Sequence, residues 1–484
     1  MTDPPSGPPI TRVTGGVGGT AATYSGVLAL AQRYDVAGDR MRGWAAHTAT
    51  VAVTPALVES APLSPVTFGE AEAAVLEAAT GLHGVLVCSV DYEGDAVAIR
   101  AAIHTLQACD QVVADAWHVL DYDLGHTLGM TLAGAAPVVG VGLAGVGPTA
   151  VVVGRSLPDG ARSRLAGEVG AVGDTAQSVL DRHPAMAQHL VDGSGGLLDG
   201  LTGGTLAITG AGSFHPTVAD AARDLAGLYG PEGVPRVRPR PDLSVPAAHT
   251  SPRSVADLMR HLDQTNALST PDRPGDQGTI EIQTLRAADG SVRRVVYLPG
   301  TDDLTTTPLT QDSDVRDLAT NLRLIAGEQT TYAAGIEAAM QEAGIGPDDP
   351  VLLVGHSQGG MEAAALLARG SPYHVTDVVT AGSPIAHVGA YPPQTHVLSL
   401  ENRGDVIPLL DGADNADTRE QVTVQFDDHE TSVAGNHALA HYIRGAQTVD
   451  CSADPSVREV VSALRHRGFL TGRATSSRVF QVTR

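Results

Sequence analysis

Apolar residues follow two different rhythms along this chain. Between residues 24 and 57 they recur at helical spacing, as Val27, Leu28, Leu30, Ala31, Tyr34, Met41 and Trp44. Pro62 and Pro65 interrupt that run. Thr67, with Glu70 three positions on, then fits a capping box. It would open a helical stretch over 68–113 with Ala74, Val75, Ala78, Leu82, Val85 and Leu86 on one face. A break is expected at 91–95, after which Val97, Ile99, Ile103, Leu106, Val112 and Val113 resume the period. The pattern predicts an all-α N-terminal region, with a helical-hairpin bundle over 1–125.

Residues 127–154 carry no charge, but Pro137, Pro148 and many glycines divide them. Their length admits a membrane contact, and their small side chains equally suit a buried hairpin. The Gly/Ala-rich segment 126–230 is expected to be helical, and its His183, His189 and His215 have no ligand spacing. The Pro/Arg-rich segment 231–277, with a short helix over 254–267, predicts a semi-rigid linker.

From residue 278 strand-like and helix-like runs alternate. Residues 279–285 and 291–298 form a hairpin pattern around Asp289-Gly290. A helical face follows at Val315, Leu318, Leu322 and Ile325 and continues at Tyr332, Ile336 and Met340. Strand runs recur from Pro350 through the apolar residues 351–354, at 375–381 and at 395–400. This alternation predicts an α/β domain over 278–484, a mostly parallel sheet with helices on both faces.

Composition narrows the function classes. The 484 residues contain 43% hydrophobic residues, enough for more than one packed core. The formal net charge of -23 disfavours nucleic-acid binding, which needs a basic surface. All 31 basic residues are arginine, a bias typical of GC-rich actinobacterial genomes. Cys88, Cys109 and Cys451 match no zinc spacing, so neither a metal nor a cofactor is expected; a bridge between Cys88 and Cys109 on adjacent helices is the alternative to free thiols. Residues 1–10 lack a basic-then-apolar pattern, so no Sec signal is expected. Cytoplasmic residence and a non-Sec route both remain open.

The chemistry concentrates at Val351–Gly360. An apolar strand runs into Gly355-His356-Ser357-Gln358-Gly359-Gly360, and an Ala-rich helix follows. A nucleophile elbow needs that strand, a tight turn with small neighbours and a helix N-terminus behind the serine. His356 is expected to point away from the nucleophile and pack.

Four further markers follow the order of a known family: Pro299-Gly300-Thr301, Gly382-Ser383-Pro384, Asn402-Arg403-Gly404-Asp405-Val406-Ile407-Pro408, and His437 with Tyr442 five positions on. Residues from about 278 to 450 resemble an α/β-hydrolase of the class 3 lipase and esterase kind. The N-terminal quarter is weakly similar to helical-hairpin proteins of type VII secretion, although Trp44-Ala45-Ala46 replaces that group's Trp-X-Gly turn. These resemblances imply an ester or lipid substrate and a possible secretion-system partner.

A serine hydroxyl needs an adjacent base, and the base needs a carboxylate. The expected triad is Ser357, Asp405 and His437, in the chain order of this fold. Asp411 is the alternative acid, and His441 and His429 compete as base. The oxyanion hole is expected from Gln358 and Thr301, with Asp302 the alternative to Thr301. The loop 303–314 and the segment 386–394 are expected to border an acyl pocket. The sequence thus predicts a serine carboxylic-ester hydrolase. The alternatives are an acyltransferase or thioesterase with the same triad, or a secreted effector whose helical half mediates export or membrane contact.

Overall fold

The computed structural model describes residues 7–135 except 52 and 82, residue 196, residues 217–269, and residues 274–484 except 305, 307, 309, 431 and 432. They divide into two compact units, residues 20–116 and residues 1–19 with 117–484.

The helical unit is built from α1 (Thr20–Val51), α2 (Pro55–Ser60), α3 (Pro65–Thr80) and the first part of α4 (Val85–Ala135). An Arg100–Asp35 ion pair and a Tyr34–Tyr92 ring contact of 5.2 Å join α1 to α4. Three expectations change here. α3 starts at Pro65 behind Ser64, so Thr67 lies inside the helix rather than capping it. The chain breaks at 81–84, and α4 runs unbroken through 91–95. Cys88 and Cys109 therefore share one helix, about 30 Å apart at 1.5 Å per residue, too far for a disulfide; Cys88 and Cys451 are free thiols.

Among the described residues, one stretch, Pro65–Ala108, is long and apolar enough to cross a membrane, and the turn at 81–84 divides it. Of the uncharged segment 127–154, residues 127–135 end α4. Residues 136–154, and most of the 126–230 region with His183, His189 and His215, lie outside the described residues.

The second unit is an α/β fold around nine strands among the described residues. They are β1 (Ile10–Gly15), β2 (Arg236–Pro239), β3 (Thr279–Arg286), β4 (Val292–Leu298), β5 (Val351–His356), β6 (Val375–Ala381), β7 (His396–Asn402), β8 (Gln421–Phe426) and β9 (Arg473–Thr483). Their order is β1-β8-β7-β6-β5-β4-β3-β9-β2. The five central strands β4 to β8 are parallel, and antiparallel strands flank them on both sides.

Side chains alternate across this sheet. Val295, Tyr297, Leu352 and Val354 face one layer, formed by α6 (Val255–Asn266), α10 (Leu439–Asp450) and α11 (Pro455–His466). Val296, Leu298, Val351 and Leu353 face the other, where α8 (Thr331–Glu342) and α9 (Gln358–Arg369) pack. Strands buried on both faces read as continuous apolar runs, which is why 351–354 is Val-Leu-Leu-Val. Two more helices, α5 (Val218–Ala226) and α7 (Leu318–Ile325), pack against each other.

The linker expected over 231–277 belongs to this unit. Arg236–Pro239 is an edge strand on β9, and Val245, Val255 and Leu258 are buried. An edge strand tolerates Pro239 because its missing N–H has no ladder partner to lose. The continuous helical face expected from Val315 to Met340 is two helices, α7 and α8, separated at Gly327, whose φ is +75°.

Candidate active site

Ser357 stands between β5 and α9 with φ 53° and ψ -123°, a conformation that strains any residue bearing a Cβ. The surroundings hold it there. Ser357 N–H donates to Ala381 O at 2.9 Å, and its carbonyl accepts from Gly360 and Met361 N–H at 3.0 and 3.1 Å. A Cβ at Gly355 would collide with the Gly359 carbonyl, and one at Gly359 with the Leu298 carbonyl. The glycines flanking the serine are thus required by packing.

Asp405 follows β7, and its side chain is fully buried. One carboxylate oxygen accepts the His437 Nδ1–H at 2.6 Å and the Tyr442 hydroxyl at 2.6 Å; the other accepts Ile407 N–H at 2.9 Å. This fixes the His437 tautomer and leaves Nε2 for the cavity that His437 and Ser357 both line. No hydrogen bond closes between the Ser357 hydroxyl and the ring, a link that commonly tightens only around substrate. Burial and the Asp405 charge push the Tyr442 phenol well above its ordinary value, so it remains a donor.

His437 is also held from behind. Asn402 Nδ2 donates to the carbonyl of Asn436 at 3.1 Å and to its side-chain oxygen at 2.7 Å. His356 does not simply pack away from the site. Its Nε2–H donates to the His437 carbonyl at 2.9 Å, and its ring lies 4.4 Å from the His437 ring. Burial drives the His356 pKa well below that of a free imidazole, keeping the ring neutral beside the His437 imidazole.

The alternative residues have other partners. His441 pairs with Asp428, which Arg444 also holds. His429 is exposed and pairs with Asp427 at 3.0 Å. Asp411 accepts Ala386 N–H at 2.6 Å, and burial raises its pKa to about 7.

Gln358 follows the serine in sequence, and Thr301 lines the cavity that the serine lines. Gln358 opens α9, and the first N–H of a helix has no intrahelical acceptor. Thr301, on the loop after β4, lines the cavity with Gly300. Asp302 N–H is already given to Arg316 O at 2.7 Å, which removes it as a donor. The dipeptide Arg316–Asp317 braces both sides of this arrangement. Arg316, fully buried, grips the Asp302 carboxylate through Nε at 2.8 Å and through Nη2. Asp317 O accepts the Gln358 side-chain amide at 2.8 Å. Asn321 donates to the Thr301 hydroxyl at 2.9 Å.

The cavity holds about 540 Å³ and is mainly apolar. Its polar residues include Ser357, His437, His356, Thr301 and Asn321; its apolar wall comes from α5, α7, Met361, Ile407 and Leu410. Among its described residues, the loop expected at 303–314 contributes Leu304 alone, and the segment 386–394 contributes nothing to it. Sequence reading assigned no role to Tyr442, Asn402 or Arg316. The first two lie inside quoted motifs, but their roles depend on contacts between β7 and α10. Among the described residues no cluster of histidine, cysteine or carboxylate side chains is arranged to hold a metal ion.

Comparison with protein-family models, with curated proteins and with solved structures returns no match to this chain.

Proposed function

We propose that this chain is a serine hydrolase of the α/β-hydrolase type, cleaving carboxylic esters with an apolar acyl group through an acyl-enzyme intermediate. One observation carries the reading: the buried Asp405–His437 pair, at 2.6 Å, shares a cavity with a serine held in left-handed backbone geometry.

In acylation, Ser357 Oγ attacks the ester carbonyl carbon while its proton passes to His437 Nε2. Asp405 keeps Nδ1–H oriented and stabilises the imidazolium. The carbonyl oxygen takes the negative charge and is met by the amides of Gln358 and Thr301. Collapse breaks the bond to the leaving alkoxide, which takes the proton from Nε2. Water then repeats the sequence and frees the acid and Ser357. No step draws on a metal or cofactor.

The lining supports an acyl chain as the bound group, because a cavity of this volume with few polar groups suits an apolar ligand. Lipid esters are the substrates such a lining fits best. The test is turnover of p-nitrophenyl esters by the full chain and by Ser357→Ala. Loss of the nucleophile is expected to lower kcat by about 10³-fold or more. Equal turnover by the variant contradicts the assignment.

A further inference from the structure

We infer that α5, which lies N-terminal to the strands carrying the triad, sets the length of acyl chain the site accepts. This rests on the ester-hydrolase reading and adds to it a specificity determinant outside the catalytic motifs. Val218, Ala221, Ala222 and Leu225 line the cavity at positions i, i+3, i+4 and i+7, one face of the helix. Leu318, Leu322 and Ile325 of α7 line it at the same spacing, so two helices bound the apolar part of the space.

α5 is fixed as a wall. Thr217 caps it, accepting the Asp220 N–H at 3.2 Å. Arg223 donates to Ala326 O, just past α7, at 3.1 Å, and the Tyr229 hydroxyl to Thr306 O at 3.0 Å. The centre of its inner face is Ala221 and Ala222, buried at 5% and 4% exposure. Two alanines on a buried helical face leave volume that a larger residue would take. Each methylene moved from water into such a space is worth about fourfold in kcat/KM, the equivalent of about 0.8 kcal/mol.

The experiment is a series of p-nitrophenyl esters from acetate to palmitate, assayed on the full chain and on Ala221→Val, Ala221→Phe, Ala222→Phe and Leu225→Ala. For the unaltered chain kcat/KM should climb with each added carbon and then level off. The phenylalanine variants should lower the ratio of long-chain to acetate kcat/KM at least tenfold, Ala221→Val less, and Leu225→Ala should move the plateau to longer chains. If Ala221→Phe fails to fold, Ala221→Val and Leu225→Ala still shift in opposite directions. A flat profile, or one that no α5 variant moves, overturns the inference and leaves the hydrolase reading standing. Absence of turnover on every ester, with Ser357 unlabelled by a fluorophosphonate, overturns both.

Discussion

In the α/β unit, Tyr297, Phe426, Phe480, Leu352 and their neighbours are sealed into two layers on either face of the sheet, whereas in the helical unit the buried apolar positions belong mostly to Ala31, Ala45, Ala79 and Ala96. There the large apolar side chains face outward: Trp44 is 60% exposed, Val66 74% and Leu63 86%. Both halves use the same alanine- and valine-rich alphabet. What separates them is that a sheet brings distant large side chains onto shared faces, while the described hairpins meet through small ones. Holding a strained serine and a buried carboxylate requires the first kind of packing, since strain persists only where the surroundings over-determine it. The helical unit has no comparable set of buried polar groups among the described residues.

That contrast predicts a graded series of mutational effects. Asp405→Asn leaves its volume in place but forces the wrong His437 tautomer, and kcat should fall by about 10⁴-fold. Steady-state kinetics check it; a fall below tenfold would detach Asp405 from the chemistry. Tyr442→Phe removes one hydrogen bond to the same carboxylate, worth about 1.5–3 kcal/mol for a charged acceptor. Its effect should fall on kcat with KM little changed, whereas a purely structural role would lower only the melting temperature.

Stability should also depend on pH through the α/β unit. Glu362 is buried on α9 against Thr330, and burial raises its pKa to about 8; burial likewise raises Asp314, Glu401 and Asp411 to about 7. A carboxyl raised above its unfolded value of about 4 contributes stability that is fully present below that value and is lost as pH rises through the folded one. His356 acts in the opposite sense: depressed in the fold, it contributes stability present above about pH 6.5 and lost below it. Thermal melts should therefore decline from pH 6.5 to 8.5, and Glu362→Gln should flatten that decline by about 1–2 kcal/mol. An unchanged slope would place the loss elsewhere.

The smallest effects belong to the helical unit. Trp44→Ala and Leu63→Ala should each change stability by no more than about 0.5 kcal/mol and leave ester turnover unaltered. A larger effect would mean that this exposed surface is covered when the protein works.

Much of the α/β core was legible because its signals are local. The β3–β4 hairpin needs only Asp289-Gly290 between alternating runs, and the β5–Ser357–α9 turn needs only its glycines and an apolar strand. The edges were not legible. β1 pairs Ile10 with Phe426, and β2 disguises a strand as a Pro/Arg-rich linker, so in both the partner supplies what the segment itself lacks. The site followed the same division. Ser357 and Asp405 sit in compact motifs after strands, and His437 in one just before α10. The α5 wall, the Asn402 hold on Asn436 and the Arg316 grip on Asp302 are contacts between segments far apart in the chain, which no spacing encodes.

The most direct measurement locates a fluorophosphonate adduct by peptide mass spectrometry on the full chain and on its Asp405→Asn variant. If Ser357 is a nucleophile activated by the Asp405–His437 pair, the intact protein should carry one adduct, on the peptide containing Ser357, and the variant should acquire it far more slowly. An unmodified protein, an adduct on another serine, or equal labelling of the variant would contradict that activation.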